Sequence, residues 1–204
     1  MKKIITASFI LVCSSFLLSA CGAKTASKSA KPTAASKAVE LSPQERPYIS
    51  LIPDSAAHNL KFKLTNIPSS VNEIEYQLVY NASDNGMVIQ KGVGGTIKKN
   101  EITGSTIERN IMLGTESCTN GCKQKYDDGV NGGDLTLNFY TDGGGVSTSD
   151  SPFVLKNAAD ILKDSKLAFD DNSLSLSLKP ADKKEIYILI KNYGYPADPT
   201  VKSI

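Results

Sequence analysis

Leu60, Phe62 and Leu64 alternate with Lys61, Lys63 and Thr65, and Ile74, Tyr76, Leu78 and Tyr80 alternate with Glu75, Gln77 and Val79. A period of two sends alternate side chains to opposite faces of a pleated chain, so both stretches predict strands with one buried face. The same reading predicts strands over 48–52, 87–91, 106–113, 134–140, 152–155, 173–178 and 185–191. Between them lie Asn66-Ile67-Pro68-Ser69-Ser70, Ser83-Asp84-Asn85-Gly86 and Asp142-Gly143-Gly144-Gly145, all rich in residues that favour turns. The glycine-rich stretch Gly92-Val93-Gly94-Gly95-Thr96 fits neither a dinucleotide nor a phosphate loop, and reads as a bend or bulge. The pattern switches to helical spacing only over 157–166, where Asn157 is placed to cap the N-terminus and Ile161 and Leu162 supply an apolar stripe. The last two predicted strands pair as a hairpin across 173–191.

One short helix among so many strands predicts an all-β body, with two antiparallel sheets packed as a sandwich. In outline the strand lengths and proline and glycine turns resemble immunoglobulin-like and fibronectin-like sandwiches. The resemblance is architectural, because the chain has no tryptophan and lacks the Cys…Trp…Cys spacing. The stretch LGTESCTNGCKQKYDDGV, preceded by EIEYQLVY, also resembles uncharacterised surface or secreted β-domains of bacteria. That likeness spans 48–155 and implies architecture and location without an activity.

Ahead of this body the pattern is different. Met1-Lys2-Lys3 is followed by an apolar run over 4–20, interrupted by Thr6, Ser8, Ser14, Ser15 and Ser19. A permanent span needs about 20 consecutive apolar residues, so the run reads as the core of an export signal. It ends in Leu18-Ser19-Ala20-Cys21, which resembles the lipobox of bacterial lipoproteins. The resemblance implies a diacylglyceryl, palmitate-type anchor on the Cys21 thiol and cleavage of residues 1–20 as a signal peptide. The protein is then exported and tethered to the cell membrane or, with Gly22 rather than aspartate next in line, to the outer membrane of a two-membrane cell. Two acyl chains suffice for stable anchoring where one is marginal, since each buried methylene contributes about 0.8 kcal/mol. Residues 21–45 are dominated by alanine, lysine, serine and threonine, so the lipidated cysteine and a disordered linker precede a β-domain over 46–204.

Charge narrows the partners. The 204-residue chain has a formal charge of +2, and Lys2 and Lys3 account for it. Lys24, Lys28, Lys31 and Lys37 precede any acid, which leaves the β-body net acidic. Nucleic-acid binding requires a concentrated cationic face and is not expected. The expected partners are the membrane, through the acylated cysteine, and a protein or glycan at the cell surface.

Of four cysteines, Cys13 leaves with the signal and Cys21 is acylated, so Cys118 and Cys122 form an even pair in an exported protein. Asn120-Gly121 between them tolerates positive φ and tightens the turn, so a disulfide is expected, with about 2 kcal/mol of stabilisation from its short loop. Asn120, Gly121 and Tyr126 make this the candidate binding loop. A zinc site would need further ligands, and there is one histidine, His58, which reads as a solvated loop residue. Asp127, Asp128, Asn131 and Asp134 gather oxygen ligands as calcium requires, though Asp-Gly is equally ordinary hairpin chemistry.

No nucleophile elbow or other catalytic motif is present and no cofactor is implied. The expectation is a lipid-anchored binding or structural module of the cell envelope, without catalysis. Two alternatives stay open: an envelope hydrolase using Asp127, Asp128 and Asp134, and an assembly factor that binds strands along an exposed sheet edge.

Overall fold

A computed structural model describes residues 37–119, 121–180 and 182–196. The signal and lipobox expectations, Cys21 included, lie outside these residues. The described chain is all-β, with several sheets and one α-helix.

The hairpin β4 (Val71–Asp84) and β5 (Met87–Lys98) turns through Asn85-Gly86, whose φ angles of 50° and 80° are those of a tight two-residue turn. A second hairpin, β9 (Asp128–Thr141) and β10 (Gly145–Asn157), lies beside it through antiparallel pairing of β4 with β9. Two strands extend the far edge of β10: β1 (Lys37–Ala38), parallel at Gly145 and Val146, and β13 (Ile186–Ile190), antiparallel from Phe153 to Asn157. A separate three-stranded sheet has the order β2 (Tyr48–Pro53), β3 (Asn59–Thr65), β6 (Ile107–Met112).

The alternation read from the sequence is the one that builds the core. Leu60, Phe62 and Leu64 of the smaller sheet are fully buried, as are Ile74 and Leu78 of the larger, and all belong to one apolar cluster with Ile49, Leu135, Leu137 and Phe139. Phe62 meets Tyr76 across the two sheets, ring centroids 5.5 Å apart.

Four expectations change. Residues 92–96 form no bend: they continue β5, and Gly95 lies opposite Tyr76 because any Cβ there would collide with the Tyr76 phenol. The chain over 128–133 is likewise strand, since the backbones of β4 and β10 supply its pairing although glycine offers no apolar signal. The hairpin over 173–191 does not form. Instead β12 (Ser175–Ser177) pairs with β11 (Lys166–Ala168), setting Leu176 against buried Leu167, while β13 takes the apolar end of β10. The intervening Lys179-Pro180 and Lys183-Lys184 oppose a tight connection between them. Finally, order begins before Arg46: β1 pairs with β10, Leu41 is buried, and Glu45 N–H donates to Ser42 O.

The helix α1 (Ala158–Asp164) begins where expected, with Asn157 Oδ1 accepting from Asp160 N–H at 2.9 Å. Among the described residues no helix is long and apolar enough to cross a membrane.

The gap between β2 and β10 is closed by the segment after β13. Asn192 Oδ1 accepts from Ile49 N–H at 2.9 Å while its Nδ2 donates to Ile49 O, so one amide side chain substitutes for a neighbouring strand. Tyr193 stacks on Phe139, carries Arg46 over its ring, and exchanges a hydrogen bond with the buried Ser147 hydroxyl at 2.9 Å.

Because Ile49 is fully buried, Asn192→Ala leaves a backbone donor and acceptor without partners. The expected cost is about 2 kcal/mol, read as a fall of about 1 M in the urea midpoint with an unchanged slope.

Candidate functional site

A cleft of about 590 Å³ opens where the loop after β2, the start of β9 and the helix α1 meet. Its first wall is the loop 54–59. Asp54 Oδ1 accepts from the backbone N–H groups of Ala56 (3.1 Å) and His58 (2.9 Å), and Oδ2 accepts from Asn59 Nδ2 (2.8 Å). Burial pushes the Asp54 carboxyl up, but these hydrogen bonds together outweigh it and hold the group below the usual aspartate range.

His58 does not stand free in solvent as the sequence reading had it. Its ring is half-buried and stacks face to face on Tyr126, centroids 4.1 Å apart and planes within 2°. Leu113 fixes the two together through the backbone: its N–H donates to His58 O at 2.8 Å and its carbonyl accepts from Asp127 N–H at 3.0 Å. The pairing is long-range, so nothing near His58 in the sequence announces it.

Tyr126 ends a small hairpin of β7 (Gly114–Ser117) and β8 (Lys123–Tyr126), which carries the cysteine pair at its tip. The Cys118 and Cys122 sulfurs stand at disulfide distance, with Cα atoms 4.0 Å apart. Gly121 has φ of 89°, as the turn chemistry required, and Asn120 lies outside the described residues. Tyr126 donates its hydroxyl to Gln124 Oε1 at 2.8 Å, so it serves the hairpin and the histidine together and is not an open platform.

The oxygen-rich run does not converge. Asp127 turns inward with its side chain 6% exposed, accepts the Tyr80 hydroxyl at 2.8 Å on Oδ2, and pairs with the Lys91 ammonium through Oδ1. Each carboxylate oxygen thus has an internal partner, which ties Asp127 to the Tyr80–Lys91 contact. Asp128 and Asn131 line the cleft, and Asn131 also borders a second concavity, where Asp134 lies with Asp170 and Asp171 and without Asp128. Among the described residues the one trio of ligand groups within 4.8 Å is Glu116 with the two bonded cysteines.

The opposite wall comes from β10 and α1. Lys156 pairs with Asp164 at 3.1 Å, and Lys163 with Asp160 at 3.0 Å. The contact with Lys163 lowers the Asp160 carboxyl and raises the Lys163 ammonium. The charges on this wall are therefore neutralised in pairs, while Asp128 across the cleft keeps its negative charge. Asp128 and Asn131 find no side-chain partner among the described residues and, with the edge of the His58 ring, offer hydrogen bonds outward over an apolar floor of Leu155 and Ile186. Sequence reasoning missed α1 and the His58 loop as site walls, because they meet only through the fold.

No protein-family model matches the chain, and no curated protein matches it. Among solved structures, a superoxide reductase from Nanoarchaeum equitans is similar at 13% identity and a TM-score of 0.30, over 57% of this chain and 98% of that one. A superoxide reductase in the oxidised state is similar at 13% identity and a TM-score of 0.28, over 57% and 94%. Similarity this slight supports no statement about activity.

Burial, then the Asp127 carboxylate, push the Tyr80 phenol well above the ordinary tyrosine range. A raised folded-state value favours the neutral phenol, so its contribution to stability is complete below about pH 10 and is lost as the pH rises beyond it. Thermal midpoints of the native chain are expected to be unaffected by this group between about pH 8 and 10 and to fall as the pH is raised beyond about 10. Tyr80→Phe is expected to start lower, having left an Asp127 oxygen unpartnered, and to fall less steeply.

Proposed function

We propose that this protein is a lipid-anchored cell-envelope binding module: an acylated Cys21, a spacer, and a two-sheet sandwich that offers the His58–Asp128 cleft to a protein or glycan. The lipobox pattern supports the anchor, and the cysteine pair at disulfide distance in the β7–β8 hairpin agrees with an oxidising location.

The strand order supports a fibronectin-like outline. Counting only the seven long strands β2, β3, β4, β5, β6, β9 and β10, the smaller sheet runs first, second, fifth and the larger runs fourth, third, sixth, seventh. The constant-type immunoglobulin order becomes this one when the fourth strand leaves the fifth and pairs with the third. The His58 loop and the Asp127–Asn131 segment share one end of the body, and loops held by a rigid scaffold commonly carry recognition.

The observation that carries binding over catalysis is the state of Asp127. The buried carboxylate best placed for acid–base work is held by Lys91 and Tyr80, while the groups left facing the cleft, Asp128, Asn131 and His58, suit hydrogen bonding to a polar surface that offers donors. With the rim charges paired, the Asp128 carboxylate disfavours an anionic ligand.

The anchor is tested by fractionation. The native chain is expected in membranes, with its N-terminal peptide acylated at Cys21 by mass spectrometry, and Cys21→Ala in the soluble fraction. A mature protein beginning at Met1 with an unmodified thiol overturns the reading. The cleft is tested by cross-linking on intact cells, where Asp128→Ala is expected to remove the cross-linked product formed by the native chain without lowering the thermal midpoint. An unchanged product places recognition elsewhere.

A further inference from the structure

The two sheets have four edges, and three of them are closed to further pairing by recognisable devices. β10 is covered at its two ends by β1 and β13. β2 is capped at Ile49 by the Asn192 amide. β6 is short, six residues against the twelve of β5. The fourth edge, β5, is different: twelve residues long, without proline, and in unbroken register with β4 from Glu73↔Lys98 to Asp84↔Met87.

A lysine at an edge normally discourages pairing. Here both lysines of β5 are committed, Lys91 to Asp127 and Lys98 to Glu73. Among the described residues β5 has β4 as its sole strand partner.

The turn geometry says which backbone groups are free. A two-residue turn makes Asp84 and Met87 a hydrogen-bonded pair, so the odd-numbered residues of β5 bond to β4 and the even-numbered ones point outward. Lys98 N–H is taken by Glu101. Val88, Gln90, Gly92, Gly94 and Thr96 therefore face solvent with open donors and acceptors, and Val88 is 75% exposed.

We propose that this edge pairs antiparallel with the same edge of a second copy, Gly92 opposite Gly94 across a two-fold axis, joining the two larger sheets into one. The sequence is self-complementary in that register. Val93 faces Val93, Ile89 faces Ile97, Lys91 faces the side-chain-free Gly95, and Gln90 faces Thr96; no two like charges oppose. Moving the two-fold to residue 91 sets Lys91 against Lys91, which is destabilising. The inference does not depend on the cleft or on the lipid anchor.

The test uses the full chain in a density-matched detergent. Sedimentation up to about 100 μM is expected to show a dimer in equilibrium with monomer. Gly92→Pro removes an outward N–H, and its Cβ meets nothing nearer than 3.7 Å, so it is expected to keep the thermal midpoint and weaken association at least about tenfold. If Gly92→Pro fails to fold, Gln90→Pro removes the neighbouring outward N–H. Val93→Cys is expected to give, on mild oxidation, a dimer whose linked peptide joins residue 93 to residue 93. A monomer throughout this range overturns the proposal, as does a dimer that survives both proline variants or fails to cross-link through Val93→Cys.

Discussion

Neither sheet can hide its inner face without the other. The apolar rows of the smaller sheet, Ile49, Leu60, Phe62, Leu64 and Ile107, bury against Ile74, Leu78, Leu135, Leu137 and Phe139 of the larger, in a single cluster. Burying side chains of this size contributes about 1.5 to 3 kcal/mol each. That mutual burial decides which face of every strand looks outward, and so determines which loops meet at an end and which strands are left at an edge. The cleft and the open edge both follow from it.

The polar features then divide between those that support the core and those left for contact. Lys91, Asp127 and Tyr80 satisfy one another at the margin of the apolar cluster, and the buried hydroxyls of Ser149 and Ser151 lie 3.3 Å apart. Among the described residues no buried side-chain nitrogen or oxygen lacks a partner. The groups without internal work, Asp128 and Asn131, are those on the cleft wall. Surface pairs such as Lys163 with Asp160 contribute little to stability, but they set the charge a visitor meets.

Much of the core was legible in the alternation of Leu60, Phe62 and Leu64, and the helix start at Asn157 was legible from capping chemistry. The pairing of Cys118 with Cys122 was legible from their spacing around Asn120-Gly121. The glycine-rich lengths of β5 and β9 were not, because a residue without a side chain carries no period; their strand character comes from neighbouring backbones. The exchange of partners between β12 and β13 was hidden for a related reason. Serine–leucine alternation specifies a face but not a mate, and Leu176 found Leu167 while Ile186–Ile190 found the end of β10. The site was least legible of all: His58 and Tyr126 touch across 68 positions of chain, and each looks unremarkable in its own stretch.

The Asn192 clamp has a kinetic meaning. Its two hydrogen bonds to Ile49 span 143 positions, so the first long strand stays unfinished on one side until almost the whole polypeptide is available. Contacts of such span slow folding, because the chain between them must lose its freedom before they form. A polypeptide emerging from its N-terminus during synthesis would hold an incomplete sheet until nearly its whole length was out, and would lock only when its tail arrived.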